Sequence, residues 1–395
     1  MNTNKNQIKR VKLGARVRIV GGGTPSRKVE RYFKGSIPWV TVKDLKSSYI
    51  YDSQEHISEE AIQDSATNLI PAGTVITCTR MALGKALINK VPIAINQDLK
   101  ALLCDENTHP EYLRYFIASK ADWIISQGSG ATVKGVKLDA LRELDFPDIS
   151  LPEQKRIAEI LDLADEARRK RRENLTLTDD LIRSLFLQTF GDPATNPMGW
   201  DVKDIGDIAE VSTGKTPSRA CPEYYEGDVP WVKTTEVDGA LILETSECIS
   251  KAAVVKCSMK VFPVNSILIA MYGQGKTRGQ SARLGIPATT NQACGVILPS
   301  DGYCTGYLET YLAINYDAIR SLGRGGNQQN LNLSLVRGIK VLFPPVNFQE
   351  KFADQVNEIH EQKAREQALY EQHDDLFNSL LQRAFKGELG EKDEI

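Results

Sequence analysis

Gly273-Gln274-Gly275-Lys276-Thr277 comes nearest in this chain to a cradle for a nucleotide phosphate, and it is incomplete. A phosphate loop needs a further glycine five residues before Gly275, where the chain has Ala270. The residues that follow, Arg278 to Pro287, open no helix whose N-terminus could hold the phosphates. Methyl transfer to a base amino group would call for Asn or Asp followed by Pro-Pro-aromatic. Asn196-Pro197-Met198 and Asp192-Pro193-Ala194 both lack the second proline and the aromatic, and Gly21-Gly22-Gly23 leads into no helical pattern. Four histidines without HExxH speak against a metal centre or a Ser/His/Asp site, and no nuclease-like cluster of acids with a lysine stands out. The seven cysteines (78, 104, 221, 248, 257, 294, 304) are scattered with no CxxC, as expected of reduced thiols in a cytoplasmic protein. The sequence therefore points to a protein with no catalytic residues, no metal and no cofactor of its own.

The chemistry it does offer is hydrogen bonding from polar, glycine-rich loops. Arg can bridge guanine, Asn or Gln can bridge adenine, and Lys anchors phosphate. The candidate loops are Arg80 to Lys85, Ser129 to Lys137, Gln274 to Arg283 and Arg324 to Asn330. Within them the candidate DNA-contacting residues are Arg80, Lys85, Thr132, Lys134, Lys137, Gln274, Lys276, Arg278, Arg283, Arg324, Asn327, Gln328 and Gln329. The run Gly325-Gly326-Asn327-Gln328-Gln329-Asn330 sets four amides in succession; it also suits a turn, just as each cation also suits a solvated surface.

These loops fall in pairs because the chain repeats itself. GGTPS at Gly22–Ser26 returns as GKTPS at Gly214–Ser218, 192 positions later, and the same offset carries Pro38-Trp39-Val40 onto Pro230-Trp231-Val232. It also carries Ile57-Ser58 onto Ile249-Ser250. After a small insertion an offset of 195 relates Asn96-Gln97 to Asn291-Gln292 and Gln154 to Gln349. A duplicated unit builds approximate twofold symmetry into one chain, and duplex DNA is the commonest twofold object to be read. Residues shared by both copies shape the fold, so Thr24, Pro25, Trp39 and Trp231 are expected in turns and cores. Residues that read bases should lie where the copies diverge, as the candidate loops do.

Each copy has a strand-rich part and a helical part. Runs such as Thr74-Val75-Ile76-Thr77 and Ser266-Ile267-Leu268-Ile269 read as strands between turns. Pro152 to Thr189 and Phe348 to Ala384 contain no internal Pro or Gly and repeat apolar residues at helical spacing. The expected helix–helix packing residues are Ile157, Leu161, Leu175, Ile182 and Leu185, matched by Phe352, Val356, Tyr370, Phe377 and Leu380, with Ile359 matching Ala164. The matched phase predicts a coiled coil, with Arg168 and Arg171 set opposite Lys363 and Glu366. The basic run Arg168–Arg172 reads as a solvated face or a contact with the acidic second helix. An antiparallel pair would act as a calliper, holding the strand-rich parts at its two ends.

Residues 1–150 hold 21 basic and 16 acidic side chains, and residues 346–395 hold 6 and 12, within a formal net charge of −2. A dedicated nucleic-acid binder is usually more basic, so any DNA contact must be local or shared with basic partners. The start of the chain, MNTNKNQIKRVKL, does not read as a signal peptide, and no apolar run is long enough to span a bilayer.

Together, GGTPS with IPWVTVKDL, IPAGTVITCTR, INQD and LPEQKRIAEILDLADE, each with a weaker second copy, resemble the specificity subunit of Type I restriction–modification systems. The second copy departs from the pattern where LPEQ has become NFQE. The resemblance implies an α+β, pseudo-twofold chain: two repeated target-recognition domains separated by two long helices packed as an antiparallel coiled coil. The expected boundaries are 1–150 and 200–345 for the recognition domains, 151–190 and 346–386 for the helices, 191–199 for a linker, and 387–395 for an acidic tail. It further implies a noncatalytic, cytoplasmic subunit that reads an asymmetric bipartite site on double-stranded DNA. Its partners would be two methyltransferase subunits, which bind S-adenosylmethionine, and restriction subunits, which bind ATP. A coiled-coil scaffold with two protein-binding modules and no DNA contact is the alternative that the repeat and the near-neutral charge allow.

Overall fold

The structure is a computed structural model that describes residues 8–128, 135–273, 275–324 and 330–389. The chain forms two compact units, one of Met1–Arg172 with Ala368–Ile395 and one of Glu173–Gln367.

In the first unit the strands used below are β1 (Val17–Gly21), β2 (Ile37–Val40), β3 (Tyr49–Ile50), β4 (Val75–Cys78), β5 (Ala86–Asn89), β6 (Ile93–Ile95) and β7 (Leu99–Cys104). The main sheet has the order β1-β7-β4-β5-β3, with Leu102 opposite both Ile19 and Val75. A smaller sheet pairs β2 with β6 in parallel, Trp39 opposite Ala94. All four residues of β4 are buried, because the main sheet is covered on both faces. Its alternate residues feed two cores: Val75, Ile88 and Leu102 face the helices, while Ile76, Leu87 and Ala101 face the smaller sheet.

The second unit repeats this plan with β8 (Val211–Thr213), β9 (Val229–Val232), β10 (Ile267–Ala270), β11 (Ser281–Arg283), β12 (Thr289–Thr290) and β13 (Cys294–Ile297). Its main sheet runs β8-β13-β10-β11, and β9 lies parallel to β12. Ile267 and Ile269 face helices, while Leu268 and Ala270 face the smaller sheet. The shared GxTPS and Trp residues take the scaffold roles expected of them. Trp39 and Trp231 are buried and donate from Nε1 to the carbonyls of Gly23 and Lys215, each at 3.1 Å. A Cβ on Gly214 would lie 1.8 Å from the Thr290 carbonyl oxygen, so only glycine fits there.

The helices used below are α1 (Pro110–Ser119), α2 (Leu151–Phe190), α3 (Thr305–Ile314) and α4 (Val346–Lys386). Both long helices stop at glycine in the left-handed conformation, Gly191 at φ 80° and Gly387 at φ 81°, as a helix C-terminus favours. In the first unit Ile157 and Leu161 of α2 pack with Phe377, Leu380 and Phe385 of α4 beneath Tyr112 and Phe116 of α1. Arg156 reaches the Leu389 carbonyl and Arg168 pairs with Asp374 at 2.9 Å, so the helices run antiparallel there. Within the second unit Asp179 pairs with Lys363 and Phe186 packs on Phe352, again antiparallel.

This corrects the expected facing of Arg168 with Lys363. Those positions match in repeat phase, but Arg168 pairs with Asp374 and Lys363 with Asp179. Arg168 also lies 3.8 Å over the Phe377 ring, which realises the contact with the acidic second helix. Ile182 and Leu185 pack at the edge of the core formed by Phe186, Phe190, Phe352 and Val356, while Leu175, Ile359 and Tyr370 are half-buried outside both helical cores.

The altered second helix start keeps its working residue. Gln154 is buried; its Oε1 accepts from the His109 amide at 2.8 Å and its Nε2 donates to the Asn107 and Ile149 carbonyls, both at 2.9 Å. Gln349 accepts from the Cys304 amide at 3.0 Å and donates to the Pro344 carbonyl at 2.8 Å. Each glutamine thus ties a long helix to the amide just ahead of α1 or α3. This satisfies one of the donors a helix start leaves open.

Candidate DNA interface

In the first unit β4 and β5 form a hairpin whose loop carries Arg80, Met81 and Lys85 into solvent. Arg80 is only loosely held, with Nη1 3.8 Å from the Asp98 carboxylate. The second candidate stretch returns to this loop: Gly135 bridges Arg80, and the Val136 amide donates to the Thr79 carbonyl at 3.0 Å. Lys137, exposed, follows directly. Thr132 and Lys134 lie outside the described residues.

The second unit has the matching hairpin. The loop between β10 and β11 carries Lys276 and Arg278, and the Leu331 amide donates to the Met271 carbonyl at 3.0 Å. Both units therefore set a divergent loop at one end of the main sheet, beyond the C-termini of β4 and β10, and there it is met by Gly135 and Val136 in the first unit and by Leu331 in the second. Lys276 is exposed; its carbonyl accepts from the Tyr316 hydroxyl at 2.6 Å. The Arg320 guanidinium donates to the Gly275 carbonyl. Tyr316 and Arg320 thus brace the loop from a neighbouring helix, a role that no spacing in the sequence announces. Arg278 is half-buried, and its Nε is a buried donor without a partner among the described residues.

Arg283 has a different setting. It ion-pairs with Glu309 of α3 at 3.1 Å, with both side chains about a quarter exposed. Burial pushes the Glu309 carboxyl above the ordinary range while Arg283 draws it back down. The pair links α3 to β11. Gln274, Asn327, Gln328, Gln329 and the side chain of Arg324 lie outside the described residues.

The scaffold beneath the loops is duplicated in detail. Arg27 stacks on Phe33 and Trp39 and pairs with Glu55; Arg219 stacks on Tyr225 and Trp231 and pairs with Glu247. Thr24 bonds Gln97, and Thr216 bonds Gln292. Lys100, half-buried beside Asp98, is held below the usual lysine range by burial. All seven cysteines are free thiols, and burial pushes those of Cys78, Cys104 and Cys294 up to about 12. Among the described residues no group of three His, Cys, Asp or Glu could hold a metal ion, and no helix is long and apolar enough to cross a membrane.

The profile of the Type I restriction modification DNA specificity domain matches the chain twice, over residues 6–177 and 197–372. The MjaIX specificity subunit of Methanocaldococcus jannaschii is 28% identical over 276 residues, 65% of this chain and 64% of that protein. The EcoR124I/EcoR124II specificity subunit of Escherichia coli is 37% identical over 161 residues, covering 39% of this chain and 40% of that one. The chain thus spans less than two thirds of the length of these curated relatives. In fold it is similar to the S subunit of a Type I restriction–modification system from M. genitalium, with TM-score 0.60, 14% identity and 98% of each chain covered. A chain from a structure addressing complex assembly and conformational transition of the type I R-M system gives 0.59 at 14% identity, covering 98% of this chain and 100% of that one.

Proposed function

Since the chain belongs to the Type I restriction–modification DNA specificity family, we propose that it is the subunit that reads DNA sequence for a methyltransferase and restriction assembly. The observation that carries this reading is the double match of the specificity domain, together with the divergent hairpin loop that each unit sets at the same end of its main sheet. The scaffold under the loops is shared and the loops are not. Two such modules call for a target in two unlike half-sites, and therefore not a palindrome.

The chain acts by recognition and performs no bond chemistry itself. Two methyltransferase subunits bring S-adenosylmethionine, and restriction subunits, where present, bring ATP. Lys85, Lys137 and Lys276 anchor phosphates, while Arg80 and Arg278 stand nearest to base edges. A scaffold without DNA contact is the competing reading.

Selection from a randomised duplex pool at controlled salt, with the chain co-purified with its methyltransferase, separates the two. Enrichment of two unlike half-sites at fixed spacing is the expected result and defines the target. A well-behaved complex that enriches nothing would replace the recognition reading with the scaffold.

A further inference from the structure

We propose that Met81 is a specificity-determining residue of the first unit, making an apolar contact with the bases of one half-site. The proposal rests on the DNA-reading function above and deepens it. Four non-glycine residues among those described have positive φ: Met81 at 66°, Asn196 at 44°, Ser258 at 49° and Asn265 at 69°. Asn and Ser have short polar side chains that can hydrogen-bond the local backbone and so compensate this conformation; methionine has no such means. Counting from the matched strands β4 and β10, Met81 falls on Gly273, which has φ 146°. The second copy has glycine at the matched position, whereas the first holds a long apolar side chain in the left-handed region against a conformational penalty.

That side chain is not used for packing, since Met81 is 71% exposed. It stands between Arg80 and Lys85 on the loop beside Gly135, where cations would hold a duplex against it. In the second copy the apolar tip moves back one position, to Tyr272, 41% exposed and directly before Gly273. An unbranched, polarisable thioether suits two base contacts: against the 5-methyl group of thymine in the major groove, or inserted between stacked bases.

The test compares the wild-type complex with Met81→Gly and Met81→Leu by the same pool selection. Met81→Gly relieves the backbone and removes the side chain, so a loss of selectivity cannot be ascribed to a strained loop. The expected result is a loss of preference, about tenfold, at one or two positions of one half-site, with the other half-site unchanged. Met81→Leu should restore most of that preference. Replacing thymine by deoxyuridine at those positions should mimic Met81→Gly if the contact is the methyl group. A 2-aminopurine signal that brightens with wild type and not with Met81→Gly would mark insertion. A Met81→Gly complex that selects the same target with affinity within twofold overturns the proposal and leaves the recognition function standing. Equal weakening on all sequences overturns it too, and a wild type that enriches nothing overturns both.

Discussion

Replacing Gln154 by alanine tests whether one side chain joins a recognition domain to its helix. The change removes three hydrogen bonds and strands the His109 amide and the Asn107 and Ile149 carbonyls in a site where Gln154 is 1% exposed. At about 1 kcal/mol net for each bond the first unit should lose about 3 kcal/mol, and more where the stranded groups stay dry. The same change at Gln349 removes two bonds and should cost the second unit about 2 kcal/mol. For a unit of this size each kcal/mol lowers the midpoint by about 2–4 °C. Calorimetry should therefore show a larger drop for Gln154→Ala. Hydrogen exchange should place the lost protection in α1 for the first variant and in α3 for the second. Gln154→Glu sharpens the sign, because it sets a carboxylate oxygen against two carbonyl oxygens. It should be worse than alanine at neutral pH and improve as acid protonates the carboxyl, since a carboxyl so placed has a raised value and its ionisation opposes folding. A Gln154→Ala protein within about 0.5 kcal/mol of wild type, or protection lost equally from α1 and α3, would refute the reasoning.

Gly214→Ala forces a Cβ onto the Thr290 carbonyl; circular dichroism melts should show the second unit destabilised by about 3 kcal/mol or more, with the first unit spared. Asp148 is held below the ordinary carboxylate range, first by the hydrogen bond from Lys9, with Arg16 adding to it. Its contribution to the first unit is present above the unfolded value of about 3.9 and is lost as pH falls through the folded value. Urea midpoints of Asp148→Asn should accordingly fall below wild type at pH 7 and converge with it in acid. Lys85→Ala and Lys276→Ala should each reduce the slope of log affinity against log salt by about 1 while leaving the selected sequence unchanged. Altered base preference with an unchanged slope would reassign either lysine from phosphate to base.

The sequence disclosed much of this architecture because repetition and periodicity are one-dimensional signals. The helices expected from Pro152 to Thr189 and from Phe348 to Ala384 are observed as Leu151–Phe190 and Val346–Lys386. The buried strands show as continuous apolar runs because both their faces are covered. What stayed hidden depends on partners far along the chain. Phase matching could not tell that Arg168 would meet Asp374, because phase alone does not fix the register of an antiparallel pair. Phe186 and Phe190 fell outside the expected stripe, yet they are fully buried, because α3 covers a second side of the helix. Arg283 looked like a loop cation until Glu309 supplied its partner. Met81 drew no notice because a backbone angle is not written in residue type.

The first unit is closed by the end of the chain. Phe377, Leu380 and Phe385 complete its core, Arg10 donates to the Phe385 carbonyl at 2.8 Å, and Gly387 sits against Ile8. On the ribosome this creates a waiting period. Arg172 is made long before Ala368, and the 195 residues from Glu173 to Gln367 come between them. At about 5–20 residues per second the first recognition domain waits about 10–40 s with Tyr112, Phe116, Ile157 and Leu161 lacking their cover. Nascent chains should therefore be chaperone clients through the synthesis of the second unit. A premature stop after Tyr370 would damage the domain that was made first.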